Sequence, residues 1–144
     1  MSAGSTRVWV EAGSGTPGPL QRRVLLDELD ATWVSHLHAD HGAELLTAYY
    51  GARYADIRLD APIPLHGPPG TADRPAAFLS NTPERSPIES AFTVTELTEG
   101  HRVATGQLTL ISRMVAHGIP AFALRVEAGG GRSSTPGTPR PAPP

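Results

Sequence analysis

Hydrophobic positions along the chain switch between a period of two and a period near 3.6, and the switches predict the elements. Residues 7–12 (RVWVEA) set Val8 and Val10 against Trp9 and Glu11 and stop at Gly13-Ser14-Gly15, as a strand running into a tight turn does. Pro19 suits the first turn of a short helix over residues 20–26, and residues 31–34 read as a buried strand. Residues 43–54 place Leu45, Leu46, Tyr49 and Tyr50 at helical spacing, which predicts an amphipathic helix with both tyrosines on its core face. A short strand over residues 62–65 runs into Gly67-Pro68-Pro69-Gly70. Thr71 can then cap a helix through Leu79, with Asp73 in its first turn. Residues 80–90 are rich in Pro and polar side chains and read as a loop. The last third alternates with period two: residues 92–97, 108–115 and 122–126 read as strands, with Gly100 and Gly106 at turns. Helices between strands, followed by strands alone, give a mixed α/β fold with no internal repeat.

Composition changes this picture at one end. The chain has 144 residues with 15 Gly and 15 Pro, and nine of these breakers fall in residues 129–144, GGGRSSTPGTPRPAPP. That segment holds a single apolar side chain, Ala142, and cannot bury enough surface to offset the entropy of ordering it, so it is expected to be a disordered tail after one domain over residues 1–128. With no Cys, disulfide scaffolds, thiolate metal sites and thiol enzymes are excluded, and a metal must be held by His and carboxylate. A net charge of -2 gives no global footprint for nucleic acid, and all twelve cations are Arg. The start, MSAGSTR, has no charged, apolar leader pattern, and no window holds eighteen consecutive apolar residues, so a cytoplasmic chain with no membrane span is expected.

Chemistry concentrates in Ser35-His36-Leu37-His38-Ala39-Asp40-His41, directly after a strand. Three of the six His fall within six positions, together with Asp40, and chance explains this poorly in a chain so sparse in both types. Two apart at a strand end, His36 and His38 share a face and can converge on one cation. Asp40 and His41, on the bend into the helix, point elsewhere and can serve a second. Imidazole plus carboxylate without thiolate suits zinc and also admits manganese or iron. His117 is the candidate third imidazole because it ends the strand over residues 108–116 and precedes Gly118, beside a loop; the alternative is a core or surface histidine. His66 and His101 read as exposed loop residues, and Arg22-Arg23 as a solvated pair. The turns at Gly13-Ser14-Gly15 and residues 67–70 are followed by no Lys and match no complete phosphate-loop fingerprint.

The run DATWVSHLHADHGAELL (residues 30–46) resembles the HxHxDH signature of metallo-β-lactamase-fold hydrolases. VWVEAGSGTPGPLQRR (8–23) resembles the strand and Gly turn before that motif, PIPLHGPPGT (62–71) the segment after its helix, and VAHGIPAFALRVEA (115–128) the third-histidine strand. The nearest likeness is to the ribonuclease Z-like branch, over roughly residues 7–128. The resemblance implies a sandwich of two sheets covered by helices, with two zinc ions sharing a hydroxide that attacks an ester, amide or phosphodiester. By position, it implies His36, His38 and His117 at the first zinc and Asp40 and His41 at the second, with Asp40 also orienting the attacking water. Glu11 stands where the family usually shows Asp, a supporting position.

The family pattern also includes a metal-bridging Asp, usually in a Ser-Gly-Asp-Thr stretch, and a last His, and this sequence has neither in a matching context. The chain therefore reads as the first half of the fold, cut at both ends, with one zinc held well at most, low activity, and sheet faces and edges left exposed. Three readings follow. One is a zinc-dependent hydrolase of an ester or phosphodiester, another a non-catalytic truncated remnant, and the third a tRNA 3′-processing endoribonuclease. Expected partners are a small-molecule or phosphodiester substrate, with nucleic acid not favoured.

Overall fold

The computed structural model describes residues 1–80, 82–129 and 131–133, the last three by their backbone alone. Its first sheet has five strands in sequential order: β1 (Ser2–Ala3), β2 (Thr6–Val10), β3 (Ala31–Trp33), β4 (Ile63–Gly67) and β5 (Phe92–Glu96). β1 runs antiparallel to β2, and β2 to β5 are mutually parallel. Parallel neighbours need crossovers, and helices supply them: α1 (Pro17–Gln21), α2 (Ala39–Gly42) with α3 (Glu44–Tyr54), and α4 (Asp73–Phe78). The second sheet is an antiparallel meander of β6 (Arg102–Thr105), β7 (Leu108–Met114), β8 (Phe122–Ala128) and β9 (Gly131–Ser133).

Alternation along the strands divides the interior into two cores. Trp9, Val34, Ile63, Leu65 and Phe92 of the first sheet bury one face against Leu45, Ala48 and Tyr49 of α3 and Ala76 of α4. The opposite face presents Val8, Ala31 and Trp33 to Leu108, Leu110, Phe122, Leu124 and Val126 of the second sheet. The order is thus helices, sheet, sheet. Strands buried on both faces explain why the central strands carry few exposed positions. Trp33 ties the two sheets with an indole N–H donated to Ser112 Oγ at 3.1 Å.

The expected exposed sheet face is corrected by this arrangement. The sheet of β6 to β9 covers the inner face of the first, so that apolar face is buried within the chain. The outer face of the second sheet is polar where Arg125 and Arg102 both meet Glu127, each at 2.8 Å.

Element boundaries shift in several places. The first helix is Pro17–Gln21 with a separate 3-10 turn at Leu26–Glu28, where one helix over 20–26 is expected. Tyr50 is half-exposed and donates its hydroxyl to Leu79 O at 2.7 Å, whereas Tyr49 is the tyrosine that enters the core. The expected tail begins differently: Gly131–Ser133 pairs with β8, with Ala128 opposite Gly131. Residues 134–144 of the expected disordered tail lie outside the described residues. No helix among the described residues is long and apolar enough to cross a membrane.

Candidate metal centre

The loop after β3 is fixed by backbone bonds to two strands. Val34 N–H donates to His66 O at 2.9 Å on β4, and Phe122 N–H donates to Ser35 O at 3.0 Å at the start of β8. From there the chain turns into α2. His38 is extended (φ -68°, ψ 148°), and its carbonyl accepts from His41 N–H and Gly42 N–H at 3.0 and 3.2 Å, so Asp40 and His41 sit in the first turn of the helical segment. Gly13 packs so close to this turn that a Cβ on it would overlap the carbonyl oxygen of Asp40.

His117 arrives from the other sheet. β7 ends at Met114, earlier than the strand expected through residue 116, and Gly118 (φ 77°) lies in the turn that follows. Val115 N–H donates to Ala121 O at 3.0 Å and closes the loop that carries the imidazole.

Three of the sequence-predicted residues converge. His36, His38 and His117 each offer a donor atom, and the three lie within 4.8 Å of one another. The His36 ring is 4.8 Å from that of His38 and 4.5 Å from that of His117. His41 also packs on His36, with ring centroids 4.0 Å apart. Its Nε2 lies 3.5 Å from Asp40 Oδ2, and its Nδ1 lies 3.1 Å from Glu11 Oε2. Asp40 and His41 both lie outside the three-imidazole group, and the Asp40 side chain is 78% exposed.

The donor set fits a metal ion. His36 is only 7% exposed, and burial, followed by its neighbours His41, His117 and His38, lowers its pKa to about 4. It is therefore neutral at physiological pH, as a ligand must be. Its Nδ1 is 2.8 Å from Ser35 Oγ, and the tautomer that donates Nδ1–H to that hydroxyl leaves Nε2 as a free lone pair. A tetrahedral zinc holds imidazole nitrogens at about 2.0–2.1 Å, which places them roughly 3.3 Å from each other, so side-chain adjustment of about 1 Å seats the ion.

Two further histidines depart from expectation. His66, expected in an exposed loop, is 5% exposed on β4, and its ring lies 6.0 Å from that of His101. Among the described residues, neither His66 Nδ1 nor His101 Nε2 has a hydrogen-bond partner. The signal for burial was the parallel-strand run IPLHG, buried at four of its five positions.

The fold and the histidine cluster can be set beside known proteins. No family model matches the chain. An uncharacterized protein of Mycobacterium tuberculosis is 32% identical over 127 residues, covering 86% of this chain and 45% of that protein. A ribonuclease Z of Brevibacillus brevis is 30% identical over 119 residues, covering 81% of this chain and 36% of that enzyme. The crystal structure of the metallo-β-lactamase-fold protein YhfI from Bacillus subtilis superposes with a TM-score of 0.71 at 18% identity, covering 91% of this chain and 49% of the other. The chain therefore has the metallo-β-lactamase fold. It spans about half the length of the relatives it matches.

Proposed function

We propose that the chain carries the first metal site of a zinc-dependent hydrolase that cleaves an ester or phosphodiester. The observation that carries this reading is the convergence of His36, His38 and His117 within 4.8 Å, with His36 buried and held neutral. A zinc ion there supplies Lewis acidity and an activated water at neutral pH. The chain's own residues do the rest. Ser35 orients His36 through Nδ1, and the loop around Gly118 presents His117. Asp40, exposed beside His41, would help orient the attacking water and, with His41, would offer ligands to a second ion.

Two side-chain ligands make a weak second site, so the isolated chain should bind at most one zinc tightly. Metal analysis of the purified chain and of His117→Ala tests this: near-unit zinc occupancy that falls in the variant supports the site. Two stoichiometric zincs, or occupancy indifferent to His117, defeats it. Hydrolysis of bis(p-nitrophenyl) phosphate by the zinc-loaded chain tests the reaction class, and metal bound without turnover identifies a non-catalytic remnant.

The name of the Brevibacillus brevis relative favours a second reading, a tRNA 3′-processing endoribonuclease. Against it stands the net charge of -2, which gives no global electrostatic footprint for RNA. Cleavage of a tRNA precursor at its 3′ trailer by the zinc-loaded chain decides between the two.

A further inference from the structure

A cavity of about 370 Å³ opens directly beside the histidine cluster, between the start of α3 and α4. His38 lines it, so the cavity adjoins the candidate metal centre. Apart from His38 and Arg74, its lining is apolar or glycine, with Leu37, Leu46, Pro75 and Phe78 its largest hydrophobic side chains. Two features set it apart from an ordinary surface fold. Phe78 is 74% exposed at the end of α4, an aromatic face left to water at a cost in apolar hydration. Arg74, one helical turn before it and so on the same face, makes no ion pair among the described residues.

We infer that this cleft holds a flat aromatic ring of the substrate, stacked on Phe78, while Arg74 neutralises the negative charge next to that ring. The inference rests on the hydrolase reading for placing the scissile group at the histidines, and it deepens that reading to aryl or heteroaryl esters of phosphate. An exposed phenyl face and an uncommitted guanidinium are the two groups that bind an aromatic anion, the first through ring stacking and the second through charge and cation–π contact. The apolar bed excludes water from the ring, and the continuity with His38 leaves the phosphate within reach of the metal centre. An alkyl ester offers no ring to Phe78 and gains only the contact with Arg74.

The test uses the full chain with and without zinc, 1-naphthyl phosphate followed by its fluorescence, and ethyl phosphate as competitor. The expected result is naphthyl phosphate binding roughly tenfold or more tighter than ethyl phosphate. Phe78→Ala should remove most of that difference while leaving ethyl phosphate affinity unchanged, Phe78→Trp should keep it, and Arg74→Ala should weaken both ligands. Because Phe78 and Arg74 are exposed, these variants are expected to fold, and circular dichroism verifies it. Equal affinity for the two phosphates, or no effect of Phe78→Ala, overturns the inference while zinc occupancy and hydrolysis stand. If zinc does not bind at all, the hydrolase reading fails, and the metal-free titration still decides the cleft: a Phe78-dependent preference for the naphthyl ring supports it, and the lack of one overturns it.

Discussion

Glu11 Oε2 lies 3.1 Å from His41 Nδ1, a close contact that is not aligned as a hydrogen bond, and Glu11 reaches it from a left-handed backbone conformation (φ 65°). It is the one non-glycine residue at positive φ among the described residues. The turn is what lets the end of β2 aim a carboxylate at the bend that carries His41, and the same oxygen accepts weakly from Ser35 N–H at 3.4 Å. A side chain in this region costs about 1–2 kcal/mol that glycine does not incur.

The contact and the strain separate by substitution. Glu11→Ala loses the carboxylate and keeps the strain, whereas Glu11→Gly loses both. Glu11→Gly should therefore be the more stable variant by about 1 kcal/mol, after the greater unfolded-state freedom of glycine is set against the relief. Urea denaturation of the pair measures this, and equal stabilities would mean that the backbone relaxes out of the left-handed region once the carboxylate is gone.

Gly13 makes the next prediction, because a Cβ there overlaps the Asp40 carbonyl oxygen. Backbone, unlike a flexible side chain tip, cannot move aside cheaply, so Gly13→Ala must displace the turn from His38 to His41. Overpacking of this kind costs about 1–3 kcal/mol. Zinc affinity should fall with stability in this variant. In Gly15→Ala the added Cβ has open space, so any loss comes from its positive φ alone and should leave zinc affinity unchanged.

Much of the site was legible because its signal is local. The HxHxDH run follows a strand and precedes a helix, both of which show in the hydrophobic pattern, and Gly118 marks the loop that carries His117. What escaped was whatever depends on long-range packing. His66 is polar and directly precedes Gly67 and Pro68, so it reads as loop, yet its place on β4 between two paired strands buries it. β6 has only Val103 and two Ala or Thr positions to advertise it, and its strand state comes from pairing with β7. Tyr49 and Tyr50 are adjacent on a helix, and spacing alone could not say that Tyr49 alone enters the core.

The buried histidines set a pH dependence for the metal-free chain. Burial, and then the neighbouring His101, lowers the pKa of His66, and His36 is lowered to about 4. Unfolded imidazoles take up a proton near pH 6.5. Between that value and the lower folded values the unfolded chain binds more protons, so stability falls as pH falls. The urea midpoint should hold steady above about pH 7.5 and decline from about 6.5 towards 4. His66→Gln and His36→Asn should each flatten the slope, whatever they do to the midpoint itself, and an unchanged slope in both would contradict the assignment.

The bond from Trp33 Nε1 to Ser112 Oγ joins the two sheets at a point where both residues are buried, at 2% and 1% exposure. Removing either partner strands the other in a dry interior. Ser112→Ala leaves the indole N–H without an acceptor and should cost about 1–3 kcal/mol. Trp33→Phe leaves the hydroxyl unpaired and also opens a cavity where the larger ring packed, so its cost should exceed that of Ser112→Ala. In the double variant Trp33→Phe/Ser112→Ala neither orphan exists, and its cost should fall short of the sum of the two singles by more than about 0.5 kcal/mol, the level at which contacting residues couple. Strict additivity in the denaturation cycle would show that the bond contributes nothing to holding the second sheet on the first, and that the seam depends on apolar burial alone.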